Sequence, residues 1–295
     1  MTIKVLSSDE YEDKNRNYGD CFIITKDNEV LIYDCGSEEH AIRVIEYLDK
    51  LYIDKVKIIL SHNDADHFDG ILKLLEEDRV EKVYTVLLLK HIDDLLDEIG
   101  DGRKTRESIK RQIVEKYDNI AQLGNKGILE DTWGGVKITE GIEVVGPSEE
   151  YLLSAFAKSL NTTEGETINS ETIVNATSVQ VSIDMGHNNK ALLCGDCSFA
   201  AIEDKFTNYN LIQLPHHGKK DQAEKIFEAN KKRSDVLYIV SDNTGTTNGG
   251  SDNLITTGYR VKNTKAGDIE VTETTLSRKP IGCLSSEVNF EIFNW

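Results

Sequence analysis

Basic charge is what this sequence lacks. It carries 34 Lys and Arg against 52 Asp and Glu, for a formal net charge of −18. Proteins that grip nucleic acid non-specifically displace counterions with a basic face, and no global excess of cations exists here. The short basic patches (Lys55 and Lys57, Lys219 and Lys220, Lys231 to Arg233) read as solvated surface. Three prolines exclude Pro-rich linkers. No apolar run approaches the roughly 20 residues of a membrane span, and the opening MTIKVLSSDEYED holds no apolar signal segment. The expectation is a cytoplasmic protein without a membrane partner. Five cysteines, at 21, 35, 194, 197 and 283, are an odd number, which suits reduced thiols better than a disulfide framework. Cys194 and Cys197 form a CxxC, but the sequence has no second CxxC to complete a zinc knuckle. A redox CxxC should open a helix after a strand.

What is present suits an ordinary core: 39% hydrophobic and 29% charged residues in a chain of 295. Cys21–Thr25 and Val30–Tyr33 read as a hairpin around a polar turn, the second strand ending in Asp34. Apolar residues at Ala41, Ile42, Val44, Ile45 and Leu48 predict a helix over Glu38–Leu51. Val56–Leu60 is a short buried strand that runs into Ser61-His62-Asn63-Asp64-Ala65-Asp66-His67, with a helix after it. Val80–Lys90 reads as a strand, 91–123 as charged helices broken at Gly100 to Lys104, and Trp133 to Val145 as strand again. A helix over 149–160 and a polar loop over Asn161–Thr172 follow. The second half repeats the early grammar. Val179–Ile183 and Lys190–Leu193 form a hairpin that ends at Cys194-Gly195-Asp196. A helix over Ser198–Phe206 and a strand Leu211–Leu214 lead to Pro215-His216-His217-Gly218. A helix near Gln222–Ala229, a strand Val236–Ser241, a Gly/Thr/Asn loop Asn243–Asp252 and strands near 268–273 and 287–293 complete the pattern. Two such halves packed face to face make a sandwich with two sheets inside and helices outside, their strand ends meeting along one edge.

The chemistry concentrates at those strand ends. His62, Asp64, Asp66 and His67 place four ligand-type side chains in six residues. Imidazole and carboxylate together suit zinc, manganese or iron. His62 and Asp64 share a face if extended geometry persists one step further, while Asp66 and His67 turn elsewhere, so one segment can feed two adjacent metals. A capped helix N-terminus would account for one Asp, but not for two His and two Asp. Asp196, in a Gly-Asp turn, and the pair His216-His217 each end another apolar strand.

These residues resemble the metallo-β-lactamase superfamily, whose usual signature is H-x-H-x-D-H after an early Asp, followed by later His, Asp and His ligands. The variant here, His62-x-Asp64-x-Asp66-His67 with a later Pro-His-His-Gly, is similar to the hydrolase domain of ComEC, the competence protein of bacterial DNA uptake. Gly19-Asp20 and Asn175-x-x-Ser178 fit that subgroup too, whereas Asp69-Gly70 stands where it has Gly-Gly. The sequence holds no counterpart of the apolar channel segment of ComEC, so the resemblance leads us to expect a stand-alone soluble relative. The resemblance implies a four-layer αββα sandwich of two mixed sheets in a single domain over 1–295. A helical and loop insertion at about 91–172 would shape the entrance to the site. It implies one metal position from His62, Asp64 and Asn175, and a second from Asp66, His67 and one of His216 or His217, with Asp196 bridging. We take His216 as the ligand and His217 and Lys219 as groups that protonate a leaving group or steady a phosphate. Asp66 also orients the nucleophile, and Asp34 holds a ligating His.

The function that follows is a hydrolase using one or two divalent ions, Zn or Mn, to activate water. Its expected substrate is a phosphodiester, either nucleic acid or a nucleotide. An esterase or lactonase on the same scaffold is the alternative, and so is a non-catalytic module that docks a protein through its acidic surface.

Overall fold

The structure is a computed structural model that describes residues 1–13, 16–102, 104–123, 127–160, 167–242 and 250–277. In chain order the elements begin with β1 (Thr2–Val5), β2 (Cys21–Lys26), β3 (Glu29–Cys35), α1 (Glu38–Leu51), β4 (Val56–Ile59), α2 (Ala65–Glu76) and β5 (Val80–Thr85). Next come α3 (Ile92–Ile99), α4 (Arg106–Lys116), α5 (Asp118–Leu123), β6 (Leu129–Asp131), β7 (Val136–Thr139), β8 (Ile142–Gly146), α6 (Glu149–Leu160) and α7 (Ile173–Ala176). The last are β9 (Gln180–Gly186), β10 (Asn189–Leu193), β11 (Leu211–Gln213), a helical turn α8 (Pro215–Gly218), α9 (Lys220–Ala229), β12 (Leu237–Val240), β13 (Arg260–Asn263), β14 (Ile269–Thr272) and α10 (Glu273–Ser277).

The strands form two seven-stranded sheets, ordered β14-β1-β2-β3-β4-β5-β6 and β13-β12-β11-β10-β9-β8-β7. Both are mixed, and they repeat one plan. In the first, β2 and β3 are an antiparallel hairpin and β4 joins β3 in parallel. In the second, β9 and β10 are the hairpin and β11 joins β10 in parallel. The duplicated grammar of the sequence is therefore a duplicated topology. A buried core of residues from both sheets, among them Phe22, Ile24, Tyr33, Val181, Leu193 and Ile239, lies between them.

Local chemistry explains the elements that frame the site. Ser37 caps α1 by accepting from the His40 amide at 3.1 Å, with Glu38 and Glu39 in the first turn. Along α1 the buried face runs through Ala41, Val44 and Leu48, while Ile42 stays exposed. The β2–β3 turn is closed by Asp27 in the left-handed region.

Several elements differ from the sequence expectation. Val80–Lys90 is not one strand: β5 stops at Thr85 and Leu88–His91 forms a 3₁₀ turn. Asp131, at the end of β6, accepts from the Leu87 amide at 2.8 Å and meets His91 Nε2 at 2.7 Å, drawing the chain out of the sheet. Ser198–Phe206 is two short 3₁₀ turns, at Phe199–Ala201 and Phe206–Asn208, instead of a helix. Strand β13 had no clear alternation to announce it, and it docks in parallel on β12. The segment 91–172 supplies β6 to one sheet and β7 and β8 to the other, so its helices, not the whole segment, lie outside the sandwich. Residues 161–166, 243–249 and the strand expected near 287–293 lie outside the described residues. Cys21, Cys35, Cys194 and Cys197 are buried free thiols. Among the described residues no helix is long and apolar enough to cross a membrane.

Candidate metal centre

Strand β4 ends at Ile59 and α2 begins at Ala65, so His62, Asn63 and Asp64 occupy the extended link between them. Asp64 sits at the N-cap of α2, yet its carboxylate makes no capping bond. Its side chain is 44% exposed and Oδ2 lies 3.6 Å from His62 Nε2. Asp66 and His67 fall in the first turn of α2. The loop before β2 packs directly on that turn. The Asp20 amide donates to the Asp66 carbonyl at 3.0 Å, and Asn17 Nδ2 donates to Asp66 Oδ2. A Cβ at Gly19, whose φ is +67°, would lie 1.5 Å from the Asp66 carbonyl oxygen, and one at Gly36 would lie 2.0 Å from it. Only glycine allows this approach.

Asp34 is the penultimate residue of β3 and is fully buried. Its Oδ1 accepts from the Ser61 amide at 2.6 Å and its Oδ2 from the Ser61 hydroxyl at 2.7 Å, with His67 Nδ1 2.9 Å from Oδ2. That contact fixes the His67 ring and turns Nε2 inward. His62 is held the same way through Nδ1, by the hydroxyls of Ser61 at 2.9 Å and Ser178 at 3.2 Å.

The second half delivers Asp196. Four histidine Nε2 atoms surround its carboxylate: His67 at 3.4 Å from Oδ1, and His216 at 3.6 Å, His62 at 3.9 Å and His217 at 3.9 Å from Oδ2. Asn175 Nδ2 reaches Oδ2 at 3.5 Å. The other amide atom of Asn175, Oδ1, accepts from the Thr172 hydroxyl at 2.7 Å. His216 and His217 both adopt left-handed backbone conformations, with φ of 51° and 54°, which splays two adjacent rings to different partners. His217 Nδ1 lies 2.9 Å from the Ser241 carbonyl and 3.2 Å from Asp20 Oδ1, and its Nε2 lies 3.1 Å from Asp66 Oδ2. His216 Nδ1 lies 2.6 Å from Glu171 Oε2. Lys219 Nζ donates to Glu171 Oε1 at 2.8 Å and to the Ser170 carbonyl at 2.7 Å.

Ligand-type atoms within 4.8 Å of one another group as His62, His67 and Asp196; as Asp66, His67 and His217; as Asp20, Asp196 and His217; and as Asp20, Asp34 and His67. The ring grouped with Asp66 and His67 is thus that of His217, while His216, read from the sequence as the ligand, stands outside these groups beside Glu171. Asp64 also lies outside them. His62 Nε2, His67 Nε2, Asp196 Oδ1 and Asp20 Oδ1 are buried without a hydrogen-bond partner. Buried polar atoms rarely stay unsatisfied, and here nitrogen and carboxylate donors converge, so the residues fit a divalent ion.

The electrostatics agree. Burial would strip the His67 ring of its proton, but Asp196, Asp34 and Asp66 outweigh it and hold its pKa well above the usual imidazole value. Asp196 and Asp20 do the same for His217. Burial likewise opposes ionisation of Asp196, yet the rings of His67, His217 and His216 keep its pKa well below the ordinary carboxylate range. The site is a pocket of negative charge that retains protons on imidazoles where a cation would serve.

Glu171 escaped the sequence reading. It sits in a polar stretch with no periodicity around it, and only the fold carries it to His216. Asp20, Ser61 and Asn17 were equally silent as site residues, although Asp20 belongs to the Gly-Asp pair at the start of β2. Their spacing from His217 and Asp66 along the chain hides the contact.

The family model described as "Metallo-beta-lactamase superfamily" matches residues 15–155. No curated protein matches this sequence. Among solved structures, the metallo-β-lactamase fold protein YhfI from Bacillus subtilis aligns with a TM-score of 0.51 at 15% identity, covering 92% of this chain and 100% of that one. Igni18, described as a novel metallo hydrolase from the archaeon Ignicoccus hospitalis, aligns with a TM-score of 0.47 at 13% identity over 92% and 99% of the two chains. With two seven-stranded sheets, helices outside them and a His/Asp cluster at the strand ends, this chain has the metallo-β-lactamase fold, and its residues 15–155 match the model of that superfamily.

Proposed function

We propose that the protein is a metal-dependent phosphodiesterase acting on nucleic acid or a nucleotide, with Asp196 at the centre of a one- or two-ion site for Zn or Mn. The observation that carries this reading is the convergence of four imidazole Nε2 atoms on one buried carboxylate. Two divalent ions held here would activate a water and offset the charge of Asp20, Asp34, Asp66 and Asp196, which would let an anionic phosphodiester approach. His62, with Asp64 and Asn175 beside it, would hold one ion, and Asp66, His67 and His217 the other, Asp196 being shared. Asp34 keeps His67 Nε2 aimed into the site, and the Ser61 and Ser178 hydroxyls do so for His62. Asp66, held by Asn17 and His217, also orients the nucleophile. His216, kept in place through Nδ1 by Glu171, points Nε2 at the site and is the group placed to give a proton to a leaving oxygen. Lys219 acts through Glu171 instead of touching substrate, because both of its bonds go to Ser170 and Glu171. The acidic surface favours a small phosphodiester or a short single strand over duplex DNA.

The test is turnover of bis-p-nitrophenyl phosphate, cyclic nucleotides, RNA and single-stranded DNA by purified protein with Mn²⁺, Zn²⁺ or Mg²⁺. Metal-stimulated hydrolysis that Asp66→Asn abolishes without unfolding the protein is expected. Hydrolysis of acyl esters or lactones with none of phosphodiesters would replace this reading by an esterase or lactonase.

A further inference from the structure

Between the 3₁₀ turn Leu88–His91, helices α4 and α5 and strand β6 lies a cavity of about 400 Å³. It is separate from the cluster around Asp196, and its volume falls within the range of small-molecule sites. Its walls are apolar: Leu89, Ile113, Val114, Ile120 and Leu129 line it. Leu89 is 40% exposed and Val114 39% exposed, so two large hydrophobic side chains face its open side. A soluble fold ordinarily covers such a patch unless something binds there. One charged side chain, Lys90, lines the same cavity. Lys90 is exposed, and among the described residues its ammonium makes no ion pair or hydrogen bond, the bond to the Leu87 carbonyl at 2.8 Å being that of its backbone amide. The acid whose field it shares, Glu130, is already bonded to Lys82 at 2.5 Å. On a chain of net charge −18, an unpaired cation at the edge of an apolar hollow selects the sign of an occupant.

We propose that this cavity is a second binding site, for an anionic amphiphile: an unbranched acyl chain ending in a carboxylate, the chain against Ile113, Val114 and Leu129 and the carboxylate at Lys90. The wall has a mechanical tie to the metal-site loop. Tyr117, which also lines the cavity, hydrogen-bonds Thr177 at 3.3 Å, and the preceding Lys116 carbonyl accepts from Asn63 Nδ2 at 3.2 Å. The site does not depend on the chemistry at Asp196.

Calorimetric titration of the full chain with octanoate, decanoate and dodecanoate, below their micellar concentrations, tests it. Saturable binding of one ligand per chain is expected, tightening about fourfold per added methylene until the cavity is full. Lys90→Glu should weaken decanoate about fivefold and leave 1-decanol unchanged. Val114→Trp, which fills the hollow, should weaken decanoate at least about tenfold. Leu89→Asp, at a half-exposed position that tolerates charge, should do the same if the tryptophan variant does not fold. No saturable heat with any chain length would overturn the proposal. So would decyltrimethylammonium binding as tightly as decanoate, or the Val114 and Leu89 variants binding like the unmodified protein.

Discussion

Glu171 Oε2 lies 2.6 Å from His216 Nδ1, and Glu171 is 1% exposed. A buried carboxylate shared between an imidazole and Lys219 fixes which way that ring faces. Glu171→Gln keeps the shape and removes the charge. On whichever substrate turns over, kcat should fall about ten- to a hundredfold with KM little changed. Metal content should be unaltered, since His216 stands outside the grouped ligand atoms. Steady-state kinetics and elemental analysis on one preparation check both halves.

Asp34 meets no solvent, and its role runs through His67 and Ser61. Asp34→Ala leaves the Ser61 amide and hydroxyl without an acceptor and frees the His67 ring to rotate. Metal affinity should drop about ten- to a hundredfold, measured by competition with a chelator of known strength. Unfolding stability should fall by about 1–3 kcal/mol for each stranded donor.

Metal binding should release protons. The His67, His216 and His217 rings all have pKa values raised by the surrounding carboxylates despite their burial. A ring must shed its proton before it can ligate. Affinity for Zn²⁺ or Mn²⁺ should therefore rise with pH through and above 6.5. Calorimetry in buffers of different ionisation enthalpy would reveal the released protons. Chelation should also lower the thermal midpoint, because a ligand that binds only the folded chain stabilises it. An unchanged midpoint and pH-independent affinity would count against the site as drawn.

His40, on α1, belongs to none of the ligand groups, and the Tyr11 ring lies 5.5 Å away. Burial, reinforced by the nearby Arg43, pushes its pKa from 6.5 down to about 3. A depressed histidine pKa means the unfolded chain binds the proton that the folded chain refuses. The neutral ring's contribution is complete above pH 6.5 and is lost progressively as pH falls toward 3, with a limiting slope of about 1.4 kcal/mol per pH unit. Urea midpoints at pH 5 and pH 7 should draw closer together in His40→Phe than in the unmodified protein. Equal differences in the two proteins would show that His40 does not titrate this way.

Much of the fold was legible because its signals are local. The 3.6-residue spacing from Ala41 to Leu48 marked α1, and the hairpins β2–β3 and β9–β10 announced themselves by apolar runs around polar turns. Where a distant residue overrides the local pattern, the local signal misleads. Asp131 pulls Leu87 and His91 out of what reads as a continuous strand. Strand β13 exists because β12 offers it an edge, with no alternation of its own. At the site, the ligand-type residues stood out because His and Asp crowd the ends of apolar strands. The division of labour between His216 and His217 could not be read from two adjacent identical letters.

By itself the sequence determined the chemical inventory. Two copies of a hairpin-helix-strand pattern, each ending in Asp and then His, require strand ends that meet, and the residue types at those ends require a metal or an unpaid burial of charge. Tertiary structure alone decided which of these side chains meet. Left-handed backbone at His216 and His217 sends one ring to Glu171 and the other to Asp66 and Asp20. Folding brings Gly19 and Gly36 against Asp66, and Asp34 against His67. These are contacts between residues separated by tens to hundreds of positions. Their geometry is set by how two sheets pack, a property that no short stretch of sequence contains.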